Sequence, residues 1–465
     1  MIHEKPKRNW LFLGHMVFVA FVIFIVTVLT TAAAVRHSLV SGVGFSDRQN
    51  YWINEISKFP YQVRTAVYEL ASYILDKPSA LLIMRSNTNT AYHSSNFPES
   101  SDPGYLLLPA VDSEYKRATI KLIRIADGKI IWQWIPNWDA IHDGISEKLT
   151  FVPKGSINRY MAQHPLILGN GDVIFNTNNS LIRLEKCGGN IRWLLNYPYH
   201  HSNELSADQK SLWVNSISED YFDFNPWIKK HIRDDSIANV SLDGSLISNN
   251  SFSEILISND LTALLLGTSG VSFNVDPIHL NQIVEASQDG NYWKRGDLLI
   301  SARHLSTIFI YRPSTKKVVW YKQGPWMNQH SVGFLDNRRI YVFNNNVFGG
   351  IPSTELFLKI NDTNKIMVYD FSSGLISEPF KQSLASLKPK TITEGRAQIL
   401  SDGGLFFEET NNGRIFRTTK DDKLLWSLVI DYDKDNISKI SWSRYYNQSE
   451  ISPLLENFVD ACQKL

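Results

Sequence analysis

Histidine opens one apolar run after another in this chain. His164 begins "HPLILGNGDVIF", His201 begins "HSNELSADQKSLWV" with His200 beside it, and His279 begins "HLNQIVEASQDG" ahead of "GDLLIS". His330 begins "HSVGFLDNRRIYVF", and Arg396 takes the same place in "RAQILSDGGLFF". Near neutral pH an imidazole serves as acid, base, nucleophile or metal ligand. A guanidinium offers a planar fork of donors that matches an oxyanion. Several histidines and an arginine, brought together, suit a sulfate or phosphate group, with a histidine able to carry the group covalently. Zinc is the rival chemistry. No carboxylate or cysteine accompanies the set at metal-ligand spacing, and a neighbouring arginine repels a cation, so no metal is expected. Arg303, in "LLISARHLSTIFIY", ends the strand pair that His279 begins. Two-residue strand alternation then puts His304 on the opposite face.

These residues are useful only if something gathers them, and a repeat does. Strand–turn–strand units, often closed by Trp, recur as "IKLIRIADGKIIWQW", "NSLIRLEKCGGNIRWLL", "STIFIYRPSTKKVVWYK" and "GRIFRTTKDDKLLWSLV". Weaker copies are "SIANVSLDGSLIS" and "NKIMVYDFSSGLISEPF". The histidine-headed pairs alternate with them. Six four-stranded units at a spacing of roughly 45–70 residues describe an all-β, six-bladed β-propeller. Its first strands line the central channel, so residues at their mouths converge on the axis.

The N-terminus adds a different element. Lys5, Lys7 and Arg8 precede an uncharged run from Trp10 to Val35, longer than the roughly 20 residues that span a bilayer. Basic residues before it place residues 1–9 in the cytoplasm and the rest outside. A signal-peptide core is only about 7–15 residues, so a membrane helix or signal anchor over 10–35 is the expectation. His15 lies within the span as a tolerated residue. Val63, Ala66, Val67, Leu70, Ala71, Ile74 and Leu75 recur at helical spacing, giving a membrane-proximal helical segment over 36–95. The propeller follows over 96–450, and "SEISPLLENFVDACQKL" predicts a terminal helix over 451–465.

Bulk composition bounds the partners. With 465 residues and a net charge of +1, no global field draws nucleic acid. Cys187 and Cys462 are the only cysteines; a disulfide and two free thiols both remain open. The sequons "NVS", "NDT", "NIS" and "NQS" and the "HDG" at His142 have ordinary surface and turn readings.

The series "HHSNEL", "DPIHLN", "LLISARHLSTIFIY", "KKVVW" and "NQHSVGFLDNRRIYVFNN" resembles the arylsulfotransferase family, of the periplasmic type that uses an aryl sulfate ester as donor. That family shows a paired His before an acidic strand, an Asp-x-x-His-x-Asn element, a Ser-x-Arg-His element and a Gln-His before a strand. The resemblance covers about residues 120–430. It implies no nucleotide cofactor, an aryl sulfate donor, a phenolic or other hydroxyl acceptor, and a ping-pong reaction through a sulfohistidine. Carried over by motif, His330 is the nucleophile, His279 and Arg303 bind and polarise the sulfate oxygens, and His201, or alternatively His200, assists as acid–base or sulfate ligand. His164 and Arg396 join His200 as substrate-binding residues. The chain departs from the family in its "NNN", which replaces the usual Asp-Asn-Gly, and in its anchor and stalk. A non-catalytic propeller that scaffolds envelope proteins or binds a sulfated ligand is the alternative, and a metal-dependent hydrolase a third reading.

Overall fold

The computed structural model describes residues 8–40, isolated positions between 46 and 74, and residues 78–85, 102–146, 157–187, 189–218, 232–267, 276–350 and 357–462. The chain divides into two compact units, 1–70 with 269–274, and 71–268 with 275–465. In the first, one α-helix runs Arg8–Val40. Its stretch Met16–Val35, with mean hydropathy 2.6, is long and apolar enough to cross a membrane. Apolar side chains there, such as Phe18, Phe21 and Phe24, are exposed. The described positions from 48 to 74 are helical; most of the expected stalk lies outside the described residues.

The second unit holds six four-stranded antiparallel sheets. Blades two to six each use consecutive segments: Gln163–Leu195, Tyr199–Ser251, Leu280–Gln323, Val332–Ser377 and Arg396–Val429. The first blade is closed from the other end of the chain. Its strands Tyr105–Asp112, Arg117–Arg124 and Lys129–Trp134 receive Arg444–Tyr446 as their fourth strand. All six expected outer strand pairs are present, "SIANVSLDGSLIS" and "NKIMVYDFSSGLISEPF" included. A hairpin of Val347–Gly350 and Phe357–Ile360 interrupts the fifth blade. The terminal helix is Gln448–Cys462, and Cys187 is disulfide-bonded.

The core is a ring of apolar seams, one between each pair of neighbouring blades. Successive strand residues face opposite seams, as the pleat requires. Phe406 packs with Leu106 and Leu108 of the first blade, while Phe407 packs with Phe343 of the fifth. Leu298 and Ile300 face the third blade, and Leu299 faces the fifth. Outer-strand tryptophans reach across the seams: Trp132 donates to Lys186 O at 3.0 Å and Trp193 to Leu242 O at 3.1 Å. Burial on both faces of every blade is what allows short, aromatic and β-branched strands to hold a stiff channel.

Candidate active site

Strained backbone sets the channel-facing side chains. In each blade a non-glycine residue with positive φ precedes the inner strand or lies within its first three residues: His164 (50°), His201 (56°), His279 (54°), Asn328 (51°), Glu394 (66°) and Trp442 (58°). A left-handed residue costs about 1–2 kcal/mol, and such strain gathers at functional sites. At His164 and His201 it falls inside a β-bulge, where the ladder skips from Gln163 to Leu166 and from His200 to Asn203, turning the side chain out of the pleat. His330 and Arg396 stand two residues past this position, where the third and fourth blades carry Asn203 and Asn281. The equivalence of His330 and Arg396 with the other heads, expected from sequence, is therefore off by two residues.

Even so, the predicted residues largely converge. His201 is the hub, with its ring centroid 5.0 Å from His200, 5.3 Å from His279 and 6.1 Å from His330. Trp442 closes one side, at 5.9 Å from His201 and 6.3 Å from His330. His304 lies tilted against His279, ring centroids 4.4 Å apart. It does not point to the opposite face, because residues 303–306 form a turn after the strand Leu298–Ala302 and strand alternation has ended.

Hydrogen bonds fix the protons. Asn345 Oδ1 lies 2.7 Å from His330 Nδ1, and the Glu394 backbone N–H donates to His330 Nε2 at 2.8 Å. With a donor on Nε2, the proton sits on Nδ1. The Asn345 amide nitrogen in turn donates to Thr391 O and Glu394 O. Arg303 Nη1 donates to His304 Nε2 at 2.7 Å, and His304 Nδ1 donates to Asp276 O at 2.6 Å. Asp276 Oδ2 is 2.7 Å from His279 Nδ1. His200 and His201 meet through their Nδ1 atoms at 2.7 Å, and His200 Nε2 is 3.4 Å from Asp235 Oδ1. No described residue bonds Nε2 of His201 or of His279.

The cluster is electrostatically tense. Burial pushes His330 well below the ordinary imidazole range, and Arg303 and His279 add to this against the Asn345 bond. Burial and the neighbouring His200, His279 and His330 do the same to His201. Burial and His279 lower His304 to about 4. These rings are neutral at pH 7. Arg303 is only 7% exposed, and among the described residues its Nε and Nη2 have no hydrogen-bond partner. Two buried N–H donors of a guanidinium, unbonded beside neutral histidines, form a receptor for two oxygens of an anion.

His164 and Arg396 belong to the layer below. His164 is fully buried, its Nδ1 accepting the Asn203 N–H at 2.9 Å and its Nε2 3.5 Å from Glu204. Glu204 also pairs with Arg444 at 2.8 Å and lies 3.9 Å from Arg396. This plug floors a separate cavity of about 340 Å³ at the far ends of the inner strands, lined by Gln282, Trp293 and Phe334 among others.

Sequence reasoning missed Asp276, Asn345, Glu394 and Trp442 as site residues. It also missed the carboxylate–histidine contacts at Asp276–His279 and Asp235–His200, which overturn the reading that no carboxylate accompanies the set. Asp276, His279 and His304 each offer one atom within 4.8 Å of the others, a geometry compatible with a cation. Arg303 opposes that use, because its donation to His304 Nε2 requires the proton on Nδ1, where a metal would bind. The "NNN" departure is conformationally sound. Asn344 Oδ1 accepts the N–H groups of Met327 and Asn346, and Asn346 holds a φ of 56°, which asparagine tolerates better than most residues.

A model of the family described as Arylsulfotransferase (ASST) matches residues 164–431. No curated protein sequence gives a significant match. Among solved structures, a protein of unknown function from Bacteroides caccae is 13% identical with a TM-score of 0.43, covering 73% of this chain and 98% of its own. The WD40 domain of Pan2 from Neurospora crassa is 9% identical with a TM-score of 0.37, covering 78% and 92%. The C-terminal WD40 domain of Sif2 is 10% identical with a TM-score of 0.37, covering 78% and 98%.

Proposed function

The chain belongs to the arylsulfotransferase family, and on that footing we propose that it moves a sulfuryl group from an aryl sulfate ester to a phenolic or other hydroxyl acceptor through a sulfohistidine. The observation that carries this reading is Arg303. Its buried, unbonded Nε and Nη2 face a set of neutral histidines and suit two sulfuryl oxygens. His330 is the nucleophile: Asn345 holds its Nδ1–H and burial keeps it unprotonated, so Nε2 carries the lone pair. Nε2 attacks sulfur, the S–O bond breaks, and the electron pair leaves on the phenolic oxygen. An acceptor hydroxyl then attacks the sulfohistidine and returns the pair to Nε2. Arg303, His279 and His201 stabilise the charge on the transferred group.

The propeller works outside the cytoplasm, held by the N-terminal helix. The basic residues before that helix support this orientation, and the disulfide at Cys187 suits an oxidising compartment. The test is a chromogenic aryl sulfate incubated with and without a phenol acceptor. Phenol release that the acceptor accelerates supports the reading, and no release by the intact protein refutes it. One observation favours a second reading, a sulfated-ligand binder without turnover: the Glu394 N–H covers His330 Nε2. Saturable aryl sulfate binding with no phenol release would select it.

A further inference from the structure

We propose that Asp276 is the positioning residue that makes His279 the general acid–base of the transfer, an inference that rests on the sulfuryl-transfer reading above. Three bonds around Asp276 leave one arrangement of protons. A guanidinium can only donate, so the Arg303 bond places a lone pair on His304 Nε2 and the proton on His304 Nδ1. That proton goes to the Asp276 backbone oxygen, which leaves the Asp276 carboxylate for His279. A carboxylate can only accept, so His279 Nδ1 carries a proton and points it at Asp276 Oδ2 at 2.7 Å. His279 Nε2 is then the ring atom directed away from the carboxylate, and no described residue bonds it. His279 also keeps 18% side-chain exposure, whereas His330 and His200 are buried.

The groups facing His279 are Asp276, His201, His304 and His330, with Arg303 beside His304 and Arg233 3.5 Å from Asp276 Oδ2. Burial works to raise the Asp276 carboxyl, but its bond to His279 and the charges of His279, Arg233 and His304 outweigh this and hold it well below the usual carboxylate range. Asp276 thus stays ionised and stabilises the His279 imidazolium, the form that enters the first half-reaction with a proton on Nε2 as well as on Nδ1. In the first half-reaction the departing phenolate oxygen takes the proton from His279 Nε2 as the S–O bond breaks and the N–S bond to His330 forms. In the second, His279 Nε2 takes the proton of the acceptor hydroxyl as its oxygen bonds sulfur and the N–S bond breaks. Each cycle returns the proton to His279.

The experiment uses the full chain and two donors, a nitrophenyl sulfate and phenyl sulfate, whose phenol has a pKa of about 10 and needs proton assistance to leave. Phenol release and label on His330 are followed in single turnovers. Removing proton assistance costs about a hundredfold or more. Asp276→Asn is expected to slow phenyl sulfate by about that factor and nitrophenyl sulfate far less, with Asp276→Glu restoring part of the phenyl sulfate rate. Equal losses on both donors, or no loss, overturn the inference while leaving sulfuryl transfer intact. A wild-type chain that labels with neither donor overturns both.

Discussion

The backbone N–H of Glu394 donates to Nε2 of His330 across 2.8 Å, so the ring atom that would receive a sulfuryl group already holds a hydrogen bond. The contact joins the loop before the sixth blade to the head of the fifth. In the proposed reaction, attack on sulfur requires this bond to open. In resting protein an imidazole-acylating reagent should therefore modify His142, which lies outside the site, before His330. Peptide mass mapping over a time course checks the order, and a His330 modified first would remove the amide cap from the account.

Arg303→Lys keeps the charge but loses the fork, since an ammonium cannot present two parallel N–H groups. The expected loss in kcat/KM is about a hundredfold or more, comparable with removing one preorganised oxyanion donor. Inorganic sulfate should also weaken as a competitive inhibitor. A variant within a few-fold of wild type would mean that the orphaned donors do not meet the sulfuryl oxygens.

The buried histidines make stability depend on pH. His304 titrates at about 4 in the folded chain, lowered first by burial and then by His279, against roughly 6.5 when unfolded. The unfolded state therefore takes up protons first as pH falls. Stability is full above about 6.5 and is lost between there and about 4, on the order of 3 kcal/mol for this ring alone. Thermal melts from pH 7.5 to 4.5 should show the decline, and His304→Gln should flatten its slope. An unchanged slope would contradict the buried, neutral ring.

Glu394 works in the other direction. Burial raises its carboxyl to about 7, Glu408 adding to this and Lys439 opposing it. A folded pKa above the unfolded value gives a contribution that is full at low pH and is lost as pH rises through about 7. Glu394→Gln should raise Tm at pH 8 relative to wild type, with a smaller difference at pH 5, while keeping the backbone N–H on His330. A Tm difference independent of pH would show that the carboxyl is not held protonated.

The sequence reveals those parts of the molecule that local pattern controls. Outer strand pairs such as Leu181–Leu195 and Thr307–Gln323 announce themselves by short apolar runs, turn residues and a closing tryptophan. The histidine heads give the inner strands. Closure of the ring is different, because Arg444–Tyr446 pairs with Tyr105–Leu107 and no local pattern links segments at opposite ends of a chain. Within the site, His201, His279, His330 and Arg303 converge as their motif positions imply. His164 and Arg396 instead join Asn203, Glu204 and Arg444 in the layer below, although they share the register positions of His201 and His330. Glu394 acts through its backbone, Asn345 through an amide oxygen, and Trp442 arrives on the closing segment; none carries a chemical signature along the chain. Asp276 was visible in "DPIHLN", three residues before His279, yet only the turn at 303–306 shows why its carboxylate is left for that ring.

The proposed role of His330 as carrier of the sulfuryl group between donor and acceptor is tested most directly by labelling. The full chain should be incubated with a radiosulfur-labelled aryl sulfate without acceptor, quenched in base and mapped by mass spectrometry. One sulfuryl group is expected on His330, lost on adding a phenol and absent from His330→Ala. Label on another residue, equal labelling of His330→Ala, or phenol release with no covalent label would contradict it.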